Sequence, residues 1–158
     1  MAAPTPGTRL DPTGIKLDNG HKTLVDFSAD HDASVWEIGI TPPGIDGGEA
    51  IDTTTQHNDE YFSMAPRTLK RMTPFSMTCA YDPVIYSTLV AIINVEQTIT
   101  IHYPDTSKLA FYGFLQSAIP GELAEGVRPT MTLTVTPTNA DPTTGAEEDP
   151  VLVNAPGT

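Results

Sequence analysis

Four histidines, His21, His31, His57 and His102, are the first residues to weigh for chemistry. Paired imidazoles at H-x-x-x-H or HExxH spacing would suggest a metal site, and none of the four has such a neighbour. Asp30-His31-Asp32 brings two carboxylates to one ring, but it reads as a hydrophilic hairpin turn. Asp46 and Asp52 flank Gly47-Gly48-Glu49, which places hard oxygen donors on a pliable backbone, as a Ca²⁺ loop would. The donor order of an EF-hand is missing, and a flexible acidic loop is the simpler reading. Ser28, Ser34, Ser63, Ser76, Ser87, Ser107 and Ser117 lie outside any G-x-S-x-G elbow. Gly47-Gly48 lacks the lysine of a phosphate loop. Cys79 has no His, Lys or Arg beside it in sequence to lower its pKa, and it reads as a small buried hydrophobe. The expectation is therefore no catalytic residue, no cofactor and no metal.

The elements that carry these residues fit one domain of 158 residues, 39% of them hydrophobic. The longest apolar run, Thr88 to Val95, is too short to cross a bilayer, so no membrane is expected. The first residues, MAAPTPGTRLDPTG, contain no apolar h-region, and no secretory leader is expected. A single cysteine excludes an internal disulfide and suits a reducing cytoplasm.

The charge is one-sided, with 20 acids, 8 bases and a net of −12. Asp141, Glu147, Glu148 and Asp149 lie near the C-terminus, and the remaining 16 acids still outnumber the 8 bases. Such a surface repels phosphate backbones and argues against a nucleic-acid-binding module. Arg67, Lys70 and Arg71 form the one basic cluster, either a solvated turn or a contact to an acidic neighbour.

Period-two alternation dominates from Lys22 to Thr136. Val25 and Phe27, then Trp36, Ile38 and Ile40, then Phe75, Met77, Cys79 and Tyr81 each occupy one strand face. Ile99, Ile101 and Tyr103, then Leu109, Phe111, Gly113 and Leu115, then Met131, Leu133 and Val135 continue the pattern. Their opposite faces are rich in threonine, as half-buried antiparallel strands require. Shorter strands are expected near Ala50 to Thr53 and Tyr61 to Leu69. Asp82-Pro83 offers an N-cap oxygen and a first-turn proline, and Ile85, Leu89, Ile92 and Ile93 follow at helical spacing. The fold class expected is mainly β, an antiparallel sandwich or barrel with one flanking helix at about 83–94.

Two Pro-rich ends bracket this body: an N-terminal arm at 1–20 and a flexible tail at 140–158, with a β-domain at 21–139 between them. Val151-Leu152-Val153 is a short apolar hook in the tail, either part of a disordered end or a strand that docks on a neighbour. Within the domain, residues 41–60 read as an assembly loop. Pro42, Pro43 and Gly44 turn the chain out, Asp46, Gly47, Gly48 and Glu49 loosen it, and Ile51, Asp52 and Thr53 resume a β-prone run.

The order of these motifs resembles the major tail tube proteins of long, flexible, non-contractile tailed bacteriophages, across roughly Leu24 to Asn139. The resemblance rests on Pro42-Pro43-Gly44, Asp46-Gly47-Gly48, Ile51-Asp52-Thr53-Thr54-Thr55, Tyr81-Asp82-Pro83, Tyr103-Pro104-Asp105, Phe111-Tyr112-Gly113-Phe114-Leu115 and Glu125-Gly126-Val127-Arg128-Pro129. Met1 to Gly20 matches no part of the family pattern, and no second immunoglobulin-like domain fits in the final twenty-odd residues. The resemblance implies a virion protein, made in the host bacterial cytoplasm. It implies rings of six copies that stack into a hollow tube. The partners would be further copies, the tape measure, tail terminator and distal tail proteins, and DNA that passes through the lumen without specific binding. Such a lumen is expected to be acidic and lined by the polar faces of Gln97 to Tyr103, Leu109 to Ile119 and Met131 to Thr136. The alternative is a monomeric ligand- or carbohydrate-binding β-sandwich using Trp36, Tyr61, Tyr103 and Tyr112 as a stacking surface.

Overall fold

The computed structural model describes residues 23–29 and 35–154. The arm at 1–20, His21, Asp30-His31-Asp32 and the last residues of the tail lie outside the described residues. The chain divides into two compact units. One holds the described residues up to Pro42 and again from Pro74 onward, and the other is Pro43–Thr73.

The larger unit is built on an antiparallel sheet of seven strands. In chain order these are β1 (Leu24–Phe27), β2 (Glu37–Thr41), β7 (Phe75–Ala80), β8 (Gln97–His102), β9 (Lys108–Pro120), β10 (Thr130–Pro137) and β11 (Val151–Val153). The labels β3 to β6 belong to the smaller unit, where β3 is Ile45–Asp46, β4 Ile51–Asp52, β5 Met64–Ala65 and β6 Arg71–Met72. Hydrogen bonding runs β1-β8-β9-β10-β7-β2, and β11 joins β9. Alternation puts Val25, Phe27, Met77, Cys79, Ile99, Ile101, Phe111, Leu115, Met131, Leu133 and Val135 in the core, each at most 3% exposed.

Strand β9 sets the shape because it changes partner midway. Lys108 to Gly113 pairs with β8, and Gly113 to Pro120 pairs with β10. The handover falls on Gly113, where a Cβ would sit 2.7 Å from the Thr136 carbonyl oxygen. Only glycine lets the two backbones approach this closely. A bulge follows, since Thr134 faces Ser117 and Val135 faces Leu115, which leaves Gln116 unopposed. The extra residue shifts the buried positions from Phe111 and Leu115 to Ala118.

The edge strands β1 and β2 do not pair, so the barrel is open. One side chain bridges them: Glu37 Oε1 accepts the Val25 N–H at 3.2 Å. This corrects the side assignment of β2. Val35 is buried and Glu37 points inward, whereas Trp36 and Ile38 are 72% and 43% exposed. Trp36 and Ile38 face outward because the buried valine and the carboxylate bridge fix the parity there, and a bulge between Glu37 and Gly39 brings Ile40 opposite the buried Met77.

Helix α1 spans Pro83–Ile92, with Asp82 as N-cap accepting the Val84 N–H and Pro83 in the first turn. Leu89 and Ile92 are buried, and Ile85 is half-buried. The helix stops two residues short of Asn94, whose φ of 62° is left-handed. Asparagine tolerates this geometry. The Asn94 N–H then donates to the Leu115 carbonyl at 3.0 Å and ties the helix exit to β9.

The segment expected as a flexible tail holds paired backbone in its described part. Ala140 bridges Glu147, and Val151, Leu152 and Val153 lie opposite Ala110, Leu109 and Lys108.

Candidate functional site: the ribbon at 43–73

The smaller unit is a ribbon of two short pairings. Ile45 and Asp46 lie opposite Met72 and Arg71, and Ile51 and Asp52 lie opposite Ala65 and Met64. It includes residues 43–60 of the expected loop and also the return limb with Arg67, Lys70 and Arg71. Pro42 precedes it, and Pro43, Gly44, Asp46, Gly47, Gly48, Glu49, Ile51, Asp52 and Thr53 all lie on its outgoing limb.

Side chains lace this ribbon from root to tip. At the root, Gly44 N–H donates to Thr73 Oγ1 at 2.9 Å and Thr73 N–H donates to the Gly44 carbonyl at 2.8 Å. Asp46 accepts the Gly48 N–H at 2.9 Å and meets Arg71 Nη2 at 3.4 Å. The Gly48 amide, then the Arg71 charge, hold the Asp46 carboxyl below its usual range. Gly48 has a φ of 79°, and a Cβ there would lie 2.9 Å from Arg67 Cδ. Arg67 crosses over this glycine and donates from Nε to the Glu49 carbonyl at 2.8 Å. The Asp-Gly-Gly motif is thus a built turn: an acid that caps it, a glycine at positive φ and an arginine clamp.

Toward the tip, Asp52 accepts the Thr54 N–H at 2.9 Å, and bonds from the Thr54 hydroxyl and amide lower its pKa. Thr53 N–H donates to the Ser63 carbonyl at 2.9 Å, and Ser63 N–H donates to Thr54 Oγ1 at 2.9 Å. Asn58 Oδ1 accepts the Thr55 N–H, and its Nδ2 donates to the Tyr61 carbonyl. The threonine run supplies hydroxyls that replace ladder bonds where the strands are too short.

The ribbon buries very little. Tyr61, Phe62, Leu69 and Met64 are 79%, 85%, 78% and 56% exposed. Two-stranded ribbons are marginal in water by themselves. Four large apolar side chains on one short ribbon are thus displayed to solvent. Arg67, Lys70 and Arg71 are exposed beside them.

Among the described residues the remaining candidates do not lie together. Among the described residues no group of three or more His, Cys, Asp or Glu is placed to hold a metal ion. His57 is at the arm tip, and His102 is on β8 with its pKa lowered by burial and then by Lys108. Cys79 is fully buried, and burial followed by the Glu37 charge pushes its thiol up to about 12. The aromatics suggested as a stacking surface are spread over different elements: Trp36 just ahead of β2, Tyr61 in the arm, Tyr103 in the β8–β9 turn and Tyr112 within β9. That turn is held by Asp105, which accepts from both the amide and the hydroxyl of Ser107.

The expected acidic wall needs correction. The strand faces of Gln97 to Tyr103, Leu109 to Ile119 and Met131 to Thr136 carry no carboxylate at all. Thr98, Thr100, Thr132, Thr134 and Thr136 make them polar and neutral. The acids sit in the connections, at Glu96, Asp105, Glu122 and Glu125. Among the described residues no helix is long and apolar enough to cross a membrane.

No protein-family model matches the chain, and no curated protein matches it. The structure is similar to a chain in a cryo-EM structure of the anti-feeding prophage (AFP) baseplate, 6-fold symmetrised. The TM-score is 0.58 at 10% identity, over 86% of this chain and 95% of that one. A type six secretion system protein is more loosely similar, at a TM-score of 0.43 and 13% identity, over 82% of this chain and 90% of that one. What the chain shares with the baseplate protein is the fold, across nearly the whole length of both.

Proposed function

We propose that this chain is a structural subunit of a phage-tail-related particle. Within it, the chain forms stacked hexameric rings that build the tube of a non-contractile tail, the conduit for DNA. It has no catalytic role and needs no cofactor. The observation that carries this reading is the arm, Pro43–Thr73: a hydrogen-bonded ribbon that displays Tyr61, Phe62, Met64 and Leu69 to solvent. Burying one such side chain stabilises an association by about 1.5–3 kcal/mol. A monomeric ligand-binding module has no use for them. The fold shared with a baseplate chain, in a particle solved with six-fold symmetry, supports the same reading.

A neutral, threonine-rich strand face also suits a DNA channel. Each lysine or arginine facing the lumen would add a phosphate contact and slow passage. Terminal subunits would meet the tape measure, terminator and distal tail proteins at the ends of the tube, within the virion.

The test is assembly. Negative-stain microscopy and light scattering of the purified chain should show rings or tubes. Deleting Asp46 to Glu49 removes the Asp46–Arg71 pair and the Gly48–Arg67 crossing. It should leave a folded protein that forms neither. Particles of 16.9 kDa at every concentration, or normal tubes from the deletion variant, would overturn the reading.

A further inference from the structure

We propose that the return limb of the arm docks on the C-terminal edge of a second copy, formed by β11 and the acidic turn before it. This rests on the reading that copies assemble, and it names which two surfaces meet.

The two surfaces have matching composition and opposite charge. Between Tyr61 and Thr73 the return limb carries Arg67, Lys70 and Arg71 and no carboxylate, beside exposed Tyr61, Phe62, Met64 and Leu69. The C-terminal edge carries Glu147, Glu148 and Asp149 beside exposed Val151, Leu152 and Val153, and no cation lies between Pro129 and Asn154. The larger unit has two described cations, Lys108 and Arg128, among many carboxylates. Copies with a net charge of −12 repel one another, so an interface between them needs a local reversal of sign. The return limb is where the described cations cluster.

The strand geometry points to the same pair. β11 bonds to β9 along one edge, and its other edge has no strand partner among the described residues. A strand that is apolar at three successive positions, with all three more than half exposed, is a surface that another chain covers. On the arm, Lys70 is exposed and in no ion pair with a described residue, Arg71 holds Asp46 only at 3.4 Å between two exposed groups, and Arg67 spends Nε on a backbone carbonyl. All three therefore keep donors for incoming carboxylates. The apolar residues would supply most of the affinity, and the charges the register and on-rate. Because the two surfaces differ, the contact is heterologous and repeats from copy to copy, closing a ring or extending a stack.

The test uses mixtures of single variants, so that every crosslink read is between chains. Lys70→Cys and Glu148→Cys proteins are mixed and treated with a short bis-maleimide. Cys79 stays silent because it is fully buried. The expected product is the mixed dimer, at least about tenfold over either homodimer. In parallel, Lys70→Glu with Arg71→Glu, and Glu147→Lys with Glu148→Lys, should each raise the concentration needed for assembly about tenfold or more. All four changes in one chain should bring it back toward wild type. Homodimers only, or no recovery in the fourfold variant, would overturn the pairing while wild-type tubes still upheld assembly. A wild-type chain that never assembles would overturn both.

Discussion

Leu89→Ala tests the packing of α1 on the sheet. Leu89 is 0% exposed, and the helix packs chiefly on β9. The substitution removes three carbons, worth about 2.4 kcal/mol at roughly 0.8 kcal/mol each. Incomplete collapse of the cavity adds to this, for a total of about 3 kcal/mol within the usual range of roughly 2–5. For a chain of this size that corresponds to a drop of about 6–12 °C in Tm. The assay is urea unfolding followed by far-UV circular dichroism, with Val84→Ala as control. Val84 is on the same helix at 76% exposure, so its truncation should cost less than about 0.5 kcal/mol. Equal losses in the two variants, or a Leu89→Ala loss below about 0.5 kcal/mol, would refute the packing.

Gly48→Ala should weaken assembly several-fold with little change in Tm, because it strains a residue at φ 79° and displaces Arg67 in a ribbon that adds little to the core. Gly47→Ala, with nothing within 4 Å of the added Cβ, should assemble normally, and identical behaviour of the two would count against the built turn. Glu37 has its pKa raised by burial, so its contribution favours the folded state below its unfolded pKa and is lost as pH rises through the folded one. Glu37→Gln keeps an acceptor for Val25 N–H without the charge, so its stability gain over wild type should grow from about pH 4 to pH 7 in urea midpoints; a gap that does not vary with pH would contradict this. Asp46, Asp52 and Asp105 have lowered pKa values and act with the opposite sign, losing their contribution as pH falls below the unfolded aspartate range of about 4. Cys79, with its thiol at about 12, should resist thiol reagents near pH 8 in the folded protein and react fully in urea, and rapid labelling of the folded chain would show that it is not sealed.

The strands of the core were legible because alternation is a local signal. Val25 and Phe27, Met77 and Cys79, Ile99 and Ile101, and Met131, Leu133 and Val135 are read from period two alone. The start of α1 was equally plain, since Asp82-Pro83 is a capping signal that acts within one turn. The exposed arm was visible in its outgoing half, through Pro42-Pro43-Gly44 and Gly47-Gly48. Its return limb was read only as a short strand near Tyr61 to Leu69 and a basic cluster, and its pairing with the outgoing limb was not, because Asp46 and Arg71 are 25 apart in sequence. Which way β2 faces was decided by Val35 burial and by a hydrogen bond from Val25 to Glu37, neither of which periodicity contains. The partner change at Gly113 and the bulge at Gln116 likewise depend on where β10 lies. The pairing of Val151 to Val153 with β9 was hidden because those residues stay exposed, leaving no alternation to read. Local chemistry in the sequence determined which segments form strands, helix and turns. The tertiary structure decided which faces those elements bury and which they leave exposed, because burial depends on neighbours that are distant in sequence.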